Sequence, residues 1–305
     1  MRITKDITTP RQQPSAVALG FFDGVHLGHR AVIEQTVASA RAGGLLPTVF
    51  TFSTEGMVPA SKSSLTLLQT EQHKEAILEQ MGVEEVAIPP FEAFMQLSPL
   101  DYVEQLLIGV LHAKVLICGE NYRFGKHAAA GVEQLRTLAE SHGVELITVP
   151  PVLVDGEMIS STRIRQAVRA GDVALAQRLL GAPFAIEGEV VHGKRLGTTI
   201  HSPTINLNFP QGFTVPAYGV YLAQVMTPMG QYYGVTNIGI KPTVNADRPN
   251  CETYLLDFDG DLYGKTVTVS LLQRLRGEKK FDSVDQLSQQ IQRDVKEAKR
   301  LTEGE

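Results

Sequence analysis

Between residues 16 and 149, short apolar runs alternate with stretches of helical periodicity, and that alternation limits the fold more than any other feature. Residues 16–20 (AVALG), 46–52, 86–88, 114–119 (KVLICG) and 145–149 are compact strand candidates. Helical patterns fall between them, from about His29 to Gly43, over 71–81, from Pro99 to about Leu111, and over 132–142. In the third of these, the Ser98 hydroxyl is placed to cap and Pro99 to take the first helical position. Strands separated by helices require parallel pairing with right-handed crossovers, the doubly wound α/β class. Ligands of such sheets lie beyond the carboxyl ends of the strands, so the loops after Gly20, Phe52 and Gly119 are where a site is expected.

The second half changes period. A short helical stretch at 172–180 ends at Gly-Ala-Pro, 181–183, which reads as the boundary between a domain over 1–182 and one over 183–305. Beyond it, 220–225, 232–238, 252–258 and 266–271 are strand-like. Val267, Val269 and Leu271 alternate with Thr and Ser, as in a half-buried strand. DGDLYG, 259–264, reads as a hairpin-type turn. Val284, Leu287, Ile291, Val295 and Ala298 recur every three or four residues and define one amphipathic helix. An antiparallel barrel or sandwich covered by a C-terminal helix is the expected architecture.

Composition excludes several function classes. The net charge of −5 is shared, with 15 basic against 19 acidic residues in 1–183 and 13 against 14 in 184–305. Neither half has the basic surplus of a duplex nucleic-acid binder. No run approaches the ~18 apolar residues of a membrane span, and the first residues lack the apolar stretch of a signal peptide. Two distant cysteines, Cys118 and Cys251, form no disulfide framework, so a cytoplasmic location is expected.

Three constellations in the first half point to nucleotide chemistry. GFFDGVHLGHR, 20–30, follows the first strand candidate directly. Gly20, Gly24 and Gly28 permit tight turning and close approach to a ligand, while His26 and His29 add imidazole donors at a helix start. That arrangement suits a triphosphate whose α-phosphorus gains negative charge during displacement. ISSTRIR, 159–165, sets Ser160, Ser161 and Thr162 at a second helix start with Arg163 and Arg165 following. An ordinary N-cap needs one of those hydroxyls, whereas three with two arginines make an anion site. GENYRFG, 119–125, offers Asn121, Tyr122, Arg123 and Phe124 at the ligand edge, where packing is the competing role. In the second half, HGKRLG, 192–197, is a basic glycine loop. PTIN supplies Thr204 and Asn206, hard oxygen donors suited to Mg²⁺ or simply a turn. Glu252, at a strand start, is an acid able to deprotonate an alcohol, or a solvated strand residue.

With their order along the chain, these motifs resemble the bacterial bifunctional riboflavin kinase/FMN adenylyltransferase (FAD synthetase) family. GFFDGVHLGHR, ISSTRIR and GENYRFG resemble the elements of its adenylyltransferase part. GEVVHGKRLG, PTIN, GVYLAQV, GVTNIGIKPT and ETYLLDFDGDLYGK resemble its kinase module. The resemblance implies a Rossmann-like nucleotidyltransferase domain followed by a β-barrel kinase domain, with ATP, riboflavin and FMN as substrates and Mg²⁺ as cofactor. It implies ATP contacts from Gly20, Phe21, Asp23, Gly24, His26, Gly28 and His29, and from Ser161, Thr162, Arg165, Gly193, Lys194 and Arg195. It places Asn121 at the adenylyl-transfer site, Tyr122, Phe124 and Arg276 beside the flavin, Thr204 and Asn206 on Mg²⁺, and Glu252 as base. Two stretches depart from the family pattern. FSTEGM, 52–57, stands where an F-D-P-H-P-like turn is usual, and HSPTIN, 201–206, replaces G-F/Y-P-T-A-N. Each departure touches one site, leaving open a chain with one live activity, an adenylyltransferase whose barrel binds flavin without phosphorylating it.

Overall fold

The computed structural model describes residues 1–53, 66–191, 204–240 and 249–303. The chain divides into two compact units, Met1–Leu65 with Glu71–Ser160, and Thr66–Thr70 with Ser161–Glu305.

The first unit contains β1 (Arg2–Thr4), β2 (Ser15–Leu19), α1 (Leu27–Gly43), β3 (Leu46–Phe50), α2 (Glu71–Gln80), β4 (Glu85–Ala87), α3 (Pro99–Asp101), β5 (Ala113–Gly119), α4 (Val132–Ser141), β6 (Glu145–Val149) and the small pair β7 (Leu153–Val154) and β8 (Glu157–Met158). Its sheet runs β1-β4-β3-β2-β5-β6 with every pairing parallel. Every residue of β2 is buried. Successive side chains of a strand point to opposite faces. Ala16 and Ala18 accordingly join Ile33 and Val37 of α1 and Leu78 of α2 on one face. Val17 and Leu19 join Leu106, Leu107 and Leu135 on the other. From β2 the chain winds out through β3 to β4, then returns to β2's other side as β5. The crevice at such a reversal lies between the carboxyl ends of β2 and β5.

The expected cap at Ser98 is present, with its Oγ accepting the Asp101 N–H at 3.1 Å. Beyond α3 the helix continues as a π-helical stretch, Tyr102–Val110, rather than an α-helix.

The second unit contains α5 (Ser161–Ala170), α6 (Val173–Leu180), β9 (Phe184–Glu189), β10 (Thr204–Asn208), β11 (Gly219–Thr227), β12 (Gly230–Ile240), β13 (Pro249–Leu255), β14 (Thr266–Gly277) and α7 (Val284–Glu303). The strands pair antiparallel in the order β10-β13-β12-β11-β14-β9. The sheet curls until its edges meet, where the Val191 N–H donates to the Asn206 carbonyl at 2.9 Å. Ile205, Leu207, Tyr221, Ala223, Val225 and Val269 are among the side chains buried on one face. On the other face, Val220, Leu222 and Val235 pack under Ala298 of α7, with Val295 against them.

Two expectations are corrected here. The 259–264 turn is no hairpin, since β13 pairs with β10 and β12 while β14 pairs with β11 and β9. Its local order, such as the Tyr263 N–H donating to Asp261 Oδ1 at 2.9 Å, is a tight turn's, but it links strands that are not neighbours. Leu287 lies on the expected apolar stripe of α7 yet is 40 % exposed, because the packing against the sheet falls in the C-terminal half of the helix.

The residues Thr66–Thr70 belong to the second unit through backbone pairing. The Leu67 N–H donates to Gly212 O at 2.7 Å and the Thr214 N–H to Leu67 O at 2.8 Å. Arg165 Nε donates to Thr66 O, and Arg169 to Thr66 Oγ1 at 3.0 Å.

In the first unit, the Glu85 carboxylate at the start of β4 is buried and answered by Arg2 and by Arg11 Nε at 2.9 Å. Removing one partner of a buried ion pair typically costs ~3–5 kcal/mol because a charge is stranded. Arg11→Met should fall toward the lower end of that range, since Arg2 remains. A urea titration following the first unit's unfolding should show the loss, and an unchanged midpoint would contradict it.

Candidate active sites

Gly20 directly follows the central strand β2 and donates its N–H to Phe50 O at 3.3 Å. A Cβ there would lie 2.8 Å from Phe22 Cζ, so only glycine lets the Phe22 ring fold back over the strand end. The turn that follows is strained. Phe22 (φ 54°) and the β-branched Val25 (φ 35°) both occupy the left-handed region, at a typical cost of ~1–3 kcal/mol each. Both side chains are fully buried, and that packing holds the backbone in place.

The strain delivers His26 to the cap position of α1. Its Nδ1 accepts the His29 N–H at 3.2 Å. With Nδ1 accepting, a neutral His26 ring carries its proton on Nε2, a donor for an anion. The His26 and His29 rings stack at 3.5 Å with 17° between planes, and Phe22 meets His29 edge-on at 5.3 Å. Gly28 is packed under this stack, its added Cβ falling 3.3 Å from the His26 ring. The two histidines of the motif thus form one rigid unit over a helix N-terminus, where partial positive charge favours phosphate. Asp23 is buried within the same turn.

The neighbouring strand ends complete this edge. Phe21 stacks on Phe52 at 4.9 Å, Thr51 Oγ1 donates to Phe21 O at 3.0 Å, and Ser53 Oγ donates to Glu71 at 3.2 Å. Of FSTEGM, Phe52 and Ser53 are described, and 54–57 lie outside the described residues. Lys74 of α2, which sequence patterning conceals inside an amphipathic helix, is buried with Nζ 5.9 Å from the Phe21 centroid. After β5, Asn121 is exposed, with its Oδ1 beside Gly119. Tyr122 and Phe124 pack with Tyr102 instead of standing open. The Tyr102 and Tyr122 hydroxyls share a 2.8 Å hydrogen bond, Phe124 is buried, and burial pushes both phenols above their usual range. Cys118 is a buried thiol raised to about 11 by desolvation, consistent with a packing role.

In the second unit, register brings the oxygen donors together. Asn206 of β10 stands opposite Glu252 of β13, and Glu252 opposite Asn237 of β12. Thr204 pairs with Tyr254 two residues along, so it keeps the same face as Asn206. Directly opposed residues of neighbouring strands share a face with Cβ atoms ~4.5–5.5 Å apart. Thr204, Asn206 and Glu252 therefore share one face, joined by Asn237, a residue sequence reasoning did not single out. The two flanking oxygens suit a hard cation that completes its shell with water and phosphate oxygens. Ile205, where the family pattern has alanine, is buried on the opposite face of β10.

Arg276 is committed to α7. It forms a double contact with Asp294, Nε to Oδ2 at 3.0 Å and Nη2 to Oδ2 at 2.8 Å, and Nη1 donates to Gly277 O at 3.1 Å. Ser161 and Thr162 open α5, and Arg165 is buried against Thr66. Gly193, Lys194 and Arg195 lie outside the described residues, as do His201 to Pro203 of HSPTIN.

A doubly wound parallel sheet with a histidine-capped helix at its switch point, joined to a curled antiparallel sheet bearing an acid beside oxygen donors, defines a nucleotide-dependent transferase with two modules. Comparison with known proteins agrees. A FAD synthetase family model matches residues 8–163 and a riboflavin kinase model residues 180–302. A bifunctional riboflavin kinase/FMN adenylyltransferase of Bacillus subtilis is 35% identical over 295 residues, covering 94% of this chain and 92% of its own. The protein of the same description from Escherichia coli K12 is 35% identical over 301 residues, covering 96% of each chain. A crystal structure described as a macrolide-efflux protein from Streptococcus pneumoniae superposes with a TM-score of 0.85 at 33% identity, covering 97% of this chain and 98% of that one. No helix among the described residues is long and apolar enough to cross a membrane. The chain belongs to the bifunctional riboflavin kinase/FMN adenylyltransferase family.

Gly20→Ala should displace Phe22 and, through it, the His26–His29 stack. A misplacement of ~1 Å at a reacting site can cost on the order of 10²-fold in rate. FMN adenylylation by this variant should fall at least tenfold while riboflavin phosphorylation is retained, as product chromatography would show.

Proposed function

We propose that both modules are active in this chain, one phosphorylating riboflavin to FMN and the other adenylylating FMN to FAD. The observation that carries the reading is the register of β10 on β13, which sets Glu252 beside Asn206 with Ile205 turned to the opposite face. The unusual residue of PTIN is thus removed from the face that would do chemistry.

In the kinase module, Glu252 accepts the proton of the riboflavin 5′-hydroxyl as that oxygen attacks the γ-phosphorus of ATP and ADP leaves. Thr204 and Asn206 fit Mg²⁺ as hard oxygen donors on one face, and the ion, when bound, neutralises phosphate charge. Gly193, Lys194 and Arg195 are assigned to the nucleotide by family resemblance alone. In the adenylyltransferase module, an FMN phosphate oxygen attacks the α-phosphorus of a second ATP, forming FAD and releasing pyrophosphate. A phosphate monoester is largely ionised at neutral pH and needs no strong base. The protein's task there is alignment and charge stabilisation, which His26, His29 and the start of α1 are built to supply.

Asn121 is an exposed polar group of the β5 loop, assigned to the substrates by family resemblance. Resemblance assigns Ser161, Thr162 and Arg165 to the ATP phosphates. Tyr122 and Phe124 support the flavin side from within the core. Arg276 acts through α7, which it holds by Asp294. We place the boundary between the two activities at 182/183, at the Gly-Ala-Pro that ends α6 and close to residue 180, where the riboflavin kinase match begins, although the compact units divide earlier, at Ser161. We place the protein in the cytoplasm, a reading supported by two free, buried cysteines.

Incubation with riboflavin, ATP and Mg²⁺ should yield FMN and then FAD. Glu252→Gln should nearly abolish FMN formation while still adenylating supplied FMN. Accumulation of neither product from riboflavin, alongside good conversion of FMN, would show a silent barrel.

His29→Ala should give the reciprocal result, with FAD formation reduced ~10²–10³-fold by loss of one preorganised donor and riboflavin phosphorylation nearly intact. Unchanged FAD formation would remove the histidine pair from catalysis.

A further inference from the structure

The scheme above leaves Lys74 unused. Its side chain is 6 % exposed, in the first turns of α2. The ammonium lies 5.9 Å from the centroid of Phe21, two residues past β2, and Phe21 stacks on Phe52, two residues past β3. Lys74 therefore stands at the carboxyl edge of the sheet, beside the turn that carries Asp23 and His26.

The charged groups that face it are Glu71 and Glu75 on its own helix and Asp23 on the turn. Among the described residues, none of these carboxylates pairs with it within 4.0 Å. Ser53 engages Glu71 instead. A buried ammonium without a close counter-charge is expensive, and sequences retain such groups chiefly where a ligand supplies what the fold does not. Burial pushes the Lys74 ammonium below the ordinary lysine range, with Glu71, Asp23 and Glu75 opposing that shift. A cation held at this edge lies where the adenylyl-transfer reaction gathers negative charge.

We propose that Lys74 is an anion-binding residue of the adenylyl-transfer site, its ammonium taking phosphate charge that the substrates bring to residues 21–24. The inference rests on the adenylyltransferase reading of the first unit. The ligand chemistry is a phosphate group, carried by either FMN or ATP, and kinetics separates the two.

Lys74→Met and Lys74→Arg are compared with the full-length wild type, varying FMN at saturating ATP–Mg²⁺ and the reverse. A charge-assisted contact is worth ~1.5–3 kcal/mol, so Lys74→Met should lose roughly 10- to 100-fold in kcat/KM for adenylylation. The substrate whose KM rises names the phosphate source. An apolar side chain of similar size relieves the desolvation cost of this unpaired ammonium, so the melting temperature should hold or rise while activity falls. A lysine is charged below its pKa, so activity should decline as pH rises through the lowered Lys74 value. Lys74→Arg stays charged and should keep most activity while extending it to higher pH. Wild-type kinetics in Lys74→Met would overturn the proposal. So would a Lys74→Arg variant as impaired as Lys74→Met, with both melting at lower temperature. Calorimetric titration of wild type and Lys74→Met with FMN and with ATP decides the role independently of turnover. Unweakened binding of both ligands overturns it, and an inactive wild type counts against the adenylyltransferase reading alone.

Discussion

Five buried residues of β2, hydrogen-bonded on both sides to parallel strands, determine where chemistry can happen in the first unit. A strand at the switch point has no helix crossing its carboxyl end. The chain leaving it must turn in the open crevice, and whatever that turn presents faces a ligand. The turn is held at a conformational cost by Phe22 and Val25, both buried on the face that also holds α1. Side-chain burial stabilises what the backbone would avoid, and the outcome is a histidine fixed at a helix cap.

The second unit solves a different problem with a different periodicity. Alternation along β10 separates Ile205 from Thr204 and Asn206, so one strand builds the core and offers oxygen donors on its other face. Antiparallel register then does what sequence proximity cannot, setting Asn206 opposite Glu252, 46 positions later. The Arg276–Asp294 contact anchors α7 over the same sheet by geometry that a lysine could not reproduce with its single point charge.

Much of this was legible in the sequence where local signals agree. The strand cores of the first unit, the Ser98 cap and the start of α5 each combine an apolar period with a boundary residue. What escaped was non-local. DGDLYG has a turn's composition, and composition carries no information about which strands the turn joins. The apolar stripe of α7 is continuous in sequence, but only its later half meets the sheet, so Leu287 stays exposed. Asn237 gains meaning only from register, and Lys74 only from the burial of its helix against Phe21. The two aromatics of GENYRFG read equally well as recognition or packing, and the hydroxyl pair of Tyr102 and Tyr122 favours packing.

The five residues Thr66–Thr70 have a consequence for how such a protein can be taken apart. They precede α2 in the first unit, yet their backbone pairs with Leu67's partners at Gly212 and Thr214, and Arg165 and Arg169 grip Thr66. No single scissile position yields two whole modules. A gene fragment beginning at Ser161 would omit a strip of the unit it encodes, and its counterpart would carry that strip with nothing to pair against. Dissection or module exchange between homologues would need to transplant the strip along with the barrel.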